Sequence, residues 1–162
     1  MDTSSLLHSL GTTNVVVNRN LEGINHRDSL VHPQPEGRTF NWILGHMVKT
    51  RNEILELIGK KSPYPKNKFE VYTPKGFSEA KAVDVEELKA AFNSLQRELE
   101  DGIRSLSPEK LNEPATLRPD RPDTVGSLLA TIMWHEAYHA GQLGTMRRVI
   151  GKEGKIKNPQ GE

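Results

Sequence analysis

Three histidines carry the chain's most informative chemistry. His135 and His139 stand four apart in the run Trp134-His135-Glu136-Ala137-Tyr138-His139, and His46 closes the run Phe40-Asn41-Trp42-Ile43-Leu44-Gly45-His46. Residues four apart on an α-helix are separated by about 40° around the axis and about 6 Å along it, so two imidazoles at that spacing can converge on one metal ion. His135 and His139 also continue the apolar stripe of Leu128, Ile132, Leu143 and Met146, which turns them toward the protein interior. Burying three imidazoles is costly unless their nitrogens share a purpose. Three neutral imidazoles leave coordination positions open, the pattern of a catalytic rather than a closed structural site. Histidine suits Zn, Ni, Fe or Cu, and the residue types do not choose among them.

Several neighbours are candidates for supporting roles. His135-Glu136-Ala137-Tyr138-His139 matches the HExxH pattern, in which Glu136 would be the general base of a zinc protease. The extended form of that motif fails, because Gln142 and Thr145 stand where Gly and His are required. Glu136 then reads as a carboxylate on the helix surface or behind the metal ligands. Gln142, three residues after His139, shares the histidine face and is placed to orient a ligand or a bound water. Glu53, seven after His46, is a partner for the site or a solvated residue. Gly45 and Gly141 lie in mid-helix, where glycine costs about 1 kcal/mol relative to Ala, and close helix packing would explain them. Trp42 and Trp134 read first as core and second as pocket wall. His8, His26 and His32 have no partner spacing. Arg118 and Arg121 precede the last helix and read as solvated loop charge, with attraction for an anionic substrate as the alternative.

Composition narrows the function classes. The 162 residues include 22 Lys and Arg against 21 Asp and Glu, a net charge of +1, which argues against a nucleic-acid binder. There is no cysteine, which removes thiolate metal sites, iron–sulfur clusters, disulfides and cysteine nucleophiles together. No apolar run is long enough for a membrane span, and no basic segment followed by an apolar run opens the chain, so a cytoplasmic protein is expected. Hydrophobic residues make up 35% and mean hydropathy is −0.61, lean for a globular chain and best served by helices with one apolar stripe.

The elements that must position the histidines follow from proline and periodicity. The ten prolines leave segments 1–32, 36–62, 75–107 and 123–158 free of them. Each segment repeats its apolar residues at helical spacing, most clearly Val85, Leu88, Phe92, Leu95, Leu99 and Ile103. With Thr39, Asp84 and Thr124 as N-caps and Gly59 and Gly151 as stops, helices are expected over 3–24, 39–59, 84–106 and 124–151. Four such helices make an all-α four-helix bundle in one domain, 1–151, followed by a flexible polar tail, 152–162. The stretch 60–83 is long enough to return along the bundle, so that the second and third helices run parallel, and to cover a pocket.

The run ending in His46, together with Thr124-Val125-Gly126-Ser127-Leu128 through Trp134 to Gln142-Leu143, resembles the DinB-like superfamily of bacterial proteins, which includes bacillithiol and mycothiol transferases. The resemblance implies an up-down-down-up bundle with a long crossover between the second and third helices. It implies a divalent metal held by His46, His135 and His139, and frequent homodimers. It also implies a metal-dependent reaction in which a low-molecular-weight thiol attacks a small-molecule electrophile. A metal-dependent hydrolase and a non-catalytic metal or small-molecule binding protein remain as alternatives.

Overall fold

The computed structural model describes residues 3–33, 37–118 and 121–156. Four long helices build it: α1 (Thr3–Leu21), α3 (Phe40–Leu57), α4 (Val85–Arg104) and α6 (Val125–Val149). The short helices α2 (His26–Ser29) and α5 (Pro108–Asn112) turn the chain between them. The three expected caps are made: Thr39, Asp84 and Thr124 side chains accept from the backbone N–H groups of Trp42, Glu86 and Ser127. Gly59 and Gly151, with φ of +73° and +76°, stop α3 and α6 in a conformation that favours glycine.

Contacts along the helices fix their directions. Asn41 meets Val83 where α3 and α4 begin, Arg51 meets Phe92 midway, and Gly102 stands against Ile58 where both end, so these two helices are parallel. Asn20 and Arg147 meet at the ends of α1 and α6, which are parallel as well. Asn18 meets Asn93, and His46 meets His135, across antiparallel pairs. The topology is therefore up-down-down-up, with a long crossover between α3 and α4. That crossover is packed: Phe69 and Tyr72 are buried in the shared core.

Two features depart from the expected loops. Pro114–Arg118 (β1) and Arg121–Thr124 (β2) form an antiparallel hairpin, with Pro114 opposite Thr124 and Ala115 opposite Asp123. Proline is tolerated there because both strands of a two-stranded ribbon are edges, with outward N–H positions that need no partner. The expected tail begins anchored: Arg147 donates to the Glu153 carbonyl, and Lys152 and Lys155 pair with Asp28 and Glu22. The rest of the tail, 157–162, lies outside the described residues. No helix among the described residues is long and apolar enough to cross a membrane.

Candidate metal centre

α3 supplies His46 and antiparallel α6 supplies His135 and His139, one turn apart on the side that meets α3. His135 Nε2 stands 3.4 Å from His46 Nε2 and 3.0 Å from His139 Nε2. The three ligand atoms lie within 4.8 Å of one another. Metal–imidazole bonds are about 2.0–2.1 Å, so nitrogens sharing an ion stand no more than about 4.2 Å apart. Both measured separations meet that limit.

The outer nitrogens say what the inner ones offer. His46 Nδ1 is 3.1 Å from the Tyr72 carbonyl, and His139 Nδ1 is 2.7 Å from Gln142 Oε1. Both partners only accept, so both Nδ1 atoms carry the proton and both Nε2 atoms present lone pairs. Two lone pairs aimed at His135 Nε2 cannot both be satisfied by one imidazole proton, whereas one cation serves all three rings. Burial favours the same neutral state. It lowers the pKa of His46 and of His135, and pushes His139 down to about 4. The donor set fits a divalent metal.

Residues from the crossover loop and α3 hold the rings in place. Trp42 stacks on His46 at 4.8 Å, and its Nε1–H donates to the Thr73 carbonyl. Tyr72 lies over Gly45, where a Cβ would come within 2.2 Å of its ring. The mid-helix glycine thus makes room for a loop aromatic, and not for a helix. The Tyr72 hydroxyl donates to Asn41 Oδ1 and accepts from the Val83 N–H, and burial pushes its pKa up to about 12. Gly141 has open space where a Cβ would stand, so packing among the described residues does not explain it.

Glu136 is neither a surface residue nor a free base. It is buried, and both its oxygens accept from Arg51, Nε to Oε1 at 2.5 Å and Nη2 to Oε2 at 2.9 Å. Arg51 is itself fully buried, donates to the Phe92 carbonyl and lies 3.5 Å over the Phe92 ring. Gln142 bridges outward, its amide donating to the Tyr138 hydroxyl at 3.0 Å.

A cleft of about 400 Å³ opens on His46 and His135, within the usual range of about 300–1,000 Å³ for small-molecule sites. Ile54, Leu57, Leu128 and Ile132 give it apolar walls, and Thr50, Thr131 and Glu53 add polar groups. Glu53 is the only carboxylate among its described lining residues, and Lys49 is paired with it. His139 is only 6% exposed, so the centre is reached from the His46 and His135 side. Trp134 is a cleft wall and not core, because it is 67% exposed. His26 and His32 stand away from the centre, beside Asp84 and Glu79. Arg118 and Arg121 face each other across the hairpin, and their side chains lie outside the described residues.

Comparison with known proteins agrees with this architecture. The sequence pattern of one family, described as the DinB superfamily, matches residues 13–143. No curated protein matches the chain. Among solved structures, YfiT from Bacillus subtilis, described as a probable metal-dependent hydrolase with an unusual four-helix bundle topology, superposes with a TM-score of 0.71 at 14% identity. That match covers 93% of this chain and 89% of YfiT. A conserved protein from Enterococcus faecalis superposes with a TM-score of 0.74 at 13% identity, over 93% of this chain and 98% of that one.

Proposed function

The chain belongs to the DinB superfamily, and on that premise we propose that it is a metal-dependent enzyme that transfers a low-molecular-weight thiol to an apolar electrophile. The observation that carries this reading is the pairing of an open three-imidazole centre with a cleft whose described lining residues offer it no free carboxylate. A divalent ion there supplies Lewis acidity, which lowers the pKa of a thiol or water that it binds. A thiol begins near pKa 8.5 and needs no dedicated base once it is so bound, whereas water begins at about 15.7. Since the chain has no cysteine, the sulfur nucleophile must arrive with the substrate.

His46, His135 and His139 would hold the ion, with the Tyr72 carbonyl and Gln142 fixing two of the rings. Ile54, Leu57, Leu128 and Ile132 would hold the electrophile's apolar body and exclude water from the reacting carbon. The sulfur–carbon bond forms, the leaving group departs from that carbon, and the thiol proton passes to solvent.

Hydrolysis is a second reading, favoured by the likeness to YfiT and by Glu53, which would then serve as the base. Stripping the protein with a chelator, reloading it with Zn or Ni, and analysing products by mass spectrometry separates the two. A small thiol and an apolar alkyl halide should give a thioether that disappears in the stripped protein and in His135→Ala and persists in Glu53→Gln. No metal uptake, or hydrolysis alone that is lost in Glu53→Gln, overturns the thiol reading.

A further inference from the structure

The three imidazoles come from two helices, and this sets a requirement. His135 and His139 are spaced by α6 itself, one turn apart, whatever the rest of the bundle does. The place of His46 relative to them depends on how α3 lies against α6. A roll of α3 by about 10° carries a side-chain tip, about 5–6 Å from the helix axis, about 1 Å sideways. Metal–ligand distances tolerate only about 0.2 Å. The buried side chains of the two helices are largely apolar, and apolar contact is non-directional. Apart from the imidazoles, one pair supplies the hydrogen bonds and ion pairing between α3 and α6 among the described residues: Arg51 and Glu136.

This pair is placed to hold register. Arg51 stands five residues past His46, about 7.5 Å along α3, and Glu136 is the chain neighbour of His135. Its two parallel bonds fix distance and orientation together, as a guanidinium fork on a carboxylate does. The guanidinium also reaches all four long helices. Carried by α3, it holds Glu136 of α6 through Nε and Nη2. From Nη1 it donates to the Phe92 carbonyl of α4 at 2.9 Å and to Asn14 Oδ1 of α1 at 3.4 Å. Four of its five N–H donors are thus used. The polar layer continues beside it, where Asn18 and Asn93 exchange amide hydrogen bonds between α1 and α4. Stability alone does not call for such a layer, because well-packed apolar residues often match a buried ion pair. What directional partners add is a fixed register.

We propose that Arg51 and Glu136 are positioning residues for the metal centre, a role that rests on the metal reading of that centre: they lock α3 against α6 in the register that brings His46 to the ion held by His135 and His139. Glu136 then acts through the placement of its helix, and on neither water nor a ligand. The bonds to α1 and α4 anchor the guanidinium, so that it cannot simply follow a movement of α3.

Zinc titration of the chelator-stripped, full-length protein tests this. The double variant Arg51→Met with Glu136→Leu keeps all three histidines and the local net charge. It should keep its circular dichroism and melt close to the natural protein, while its zinc affinity falls at least about tenfold, the scale of losing a partner that orients a ligand. Its Co(II)-loaded form should show shifted visible bands, because these report coordination geometry. A merely structural pair would move the melting temperature and neither of these readouts. Arg51→Lys keeps the charge and loses the fork, so it should also lose affinity, and it carries the test if the double variant does not fold. Zinc binding within about twofold of the natural protein, with unchanged Co(II) bands, in either folded variant overturns the proposal and leaves the metal reading standing. A natural protein that takes up no metal overturns both.

Discussion

His135 and Glu136 are adjacent in the chain and enter two polar centres of opposite character. The histidine faces two other imidazoles at the end of a cleft, with nitrogens that repel unless a cation joins them. The glutamate is sealed in the core, both oxygens taken by a fully buried arginine. What separates them is the residue each meets on α3, His46 in one case and Arg51 in the other. The lesson is that HExxH spacing reports a helix face and not a role. One centre is left unsatisfied and open, and the other is satisfied and closed, as a core requires.

The sharpest way to break this contrast is to unseal the closed centre. Arg51→Ala leaves the Glu136 carboxylate buried without a partner, and removing one member of a buried pair costs about 3–5 kcal/mol. Urea unfolding should show that loss in metal-free protein. The double change Arg51→Met with Glu136→Leu should recover most of it, because a well-packed apolar pair often matches a buried ion pair. An unchanged midpoint in Arg51→Ala would mean that the pair is not sealed.

The open centre should respond in the opposite way. His135→Ala removes a ligand, so titration calorimetry should show metal affinity falling beyond the roughly 10–100-fold typical of losing an outer partner. Stability of the metal-free protein should hardly change, since the mutation removes an imidazole and its desolvation cost together. Protons probe the same site. Burial lowers the pKa of all three histidines, His139 from 6.5 to about 4. The unfolded chain therefore binds more protons than the folded one between those values. Metal-free protein should hold its full stability above about pH 6.5 and lose it progressively as pH falls toward 4. A flat profile there would mean that the rings are charged in the folded state.

Much of this arrangement was legible in the sequence, and the rest was hidden for physical reasons. Prolines and apolar spacing placed the four long helices within two or three residues at each end. Thr39, Asp84 and Thr124 are caps whose chemistry is local, so they could be read directly. The three histidines were legible because i, i+4 spacing on an apolar stripe is also local. Tyr72 was not, since the crossover has no periodicity to show which side chain turns inward, although Gly45 marked the space it fills. Arg51 left a fainter signal, a cation four residues from both Met47 and Leu55 on a buried stripe. Trp134 misled because α6 has apolar or small residues all round, and spacing cannot say which side of such a helix faces out. The hairpin was concealed by the same prolines that marked the helix breaks.

The mildest test concerns how the open centre is held open. Gln142 is the only described side chain bonded to His139 Nδ1, and it is held in turn by the Tyr138 hydroxyl. Replacing it with alanine removes the acceptor that keeps the proton on Nδ1 and lets the ring adopt the other tautomer. His139 then presents its lone pair to the metal only part of the time. About a tenfold loss of metal affinity is expected, the lower end of the range for an outer partner. Gln142→Glu supplies a stronger acceptor at the same place and should bind metal at least as tightly as the natural protein. Because Tyr138 stands on the outer face of α6, Tyr138→Phe should give a fraction of the Gln142→Ala effect, by loosening the amide without removing it. If Gln142→Ala binds metal unchanged, packing alone orients His139. The open centre would then be held, like the closed one, by its surroundings and not by its hydrogen bonds.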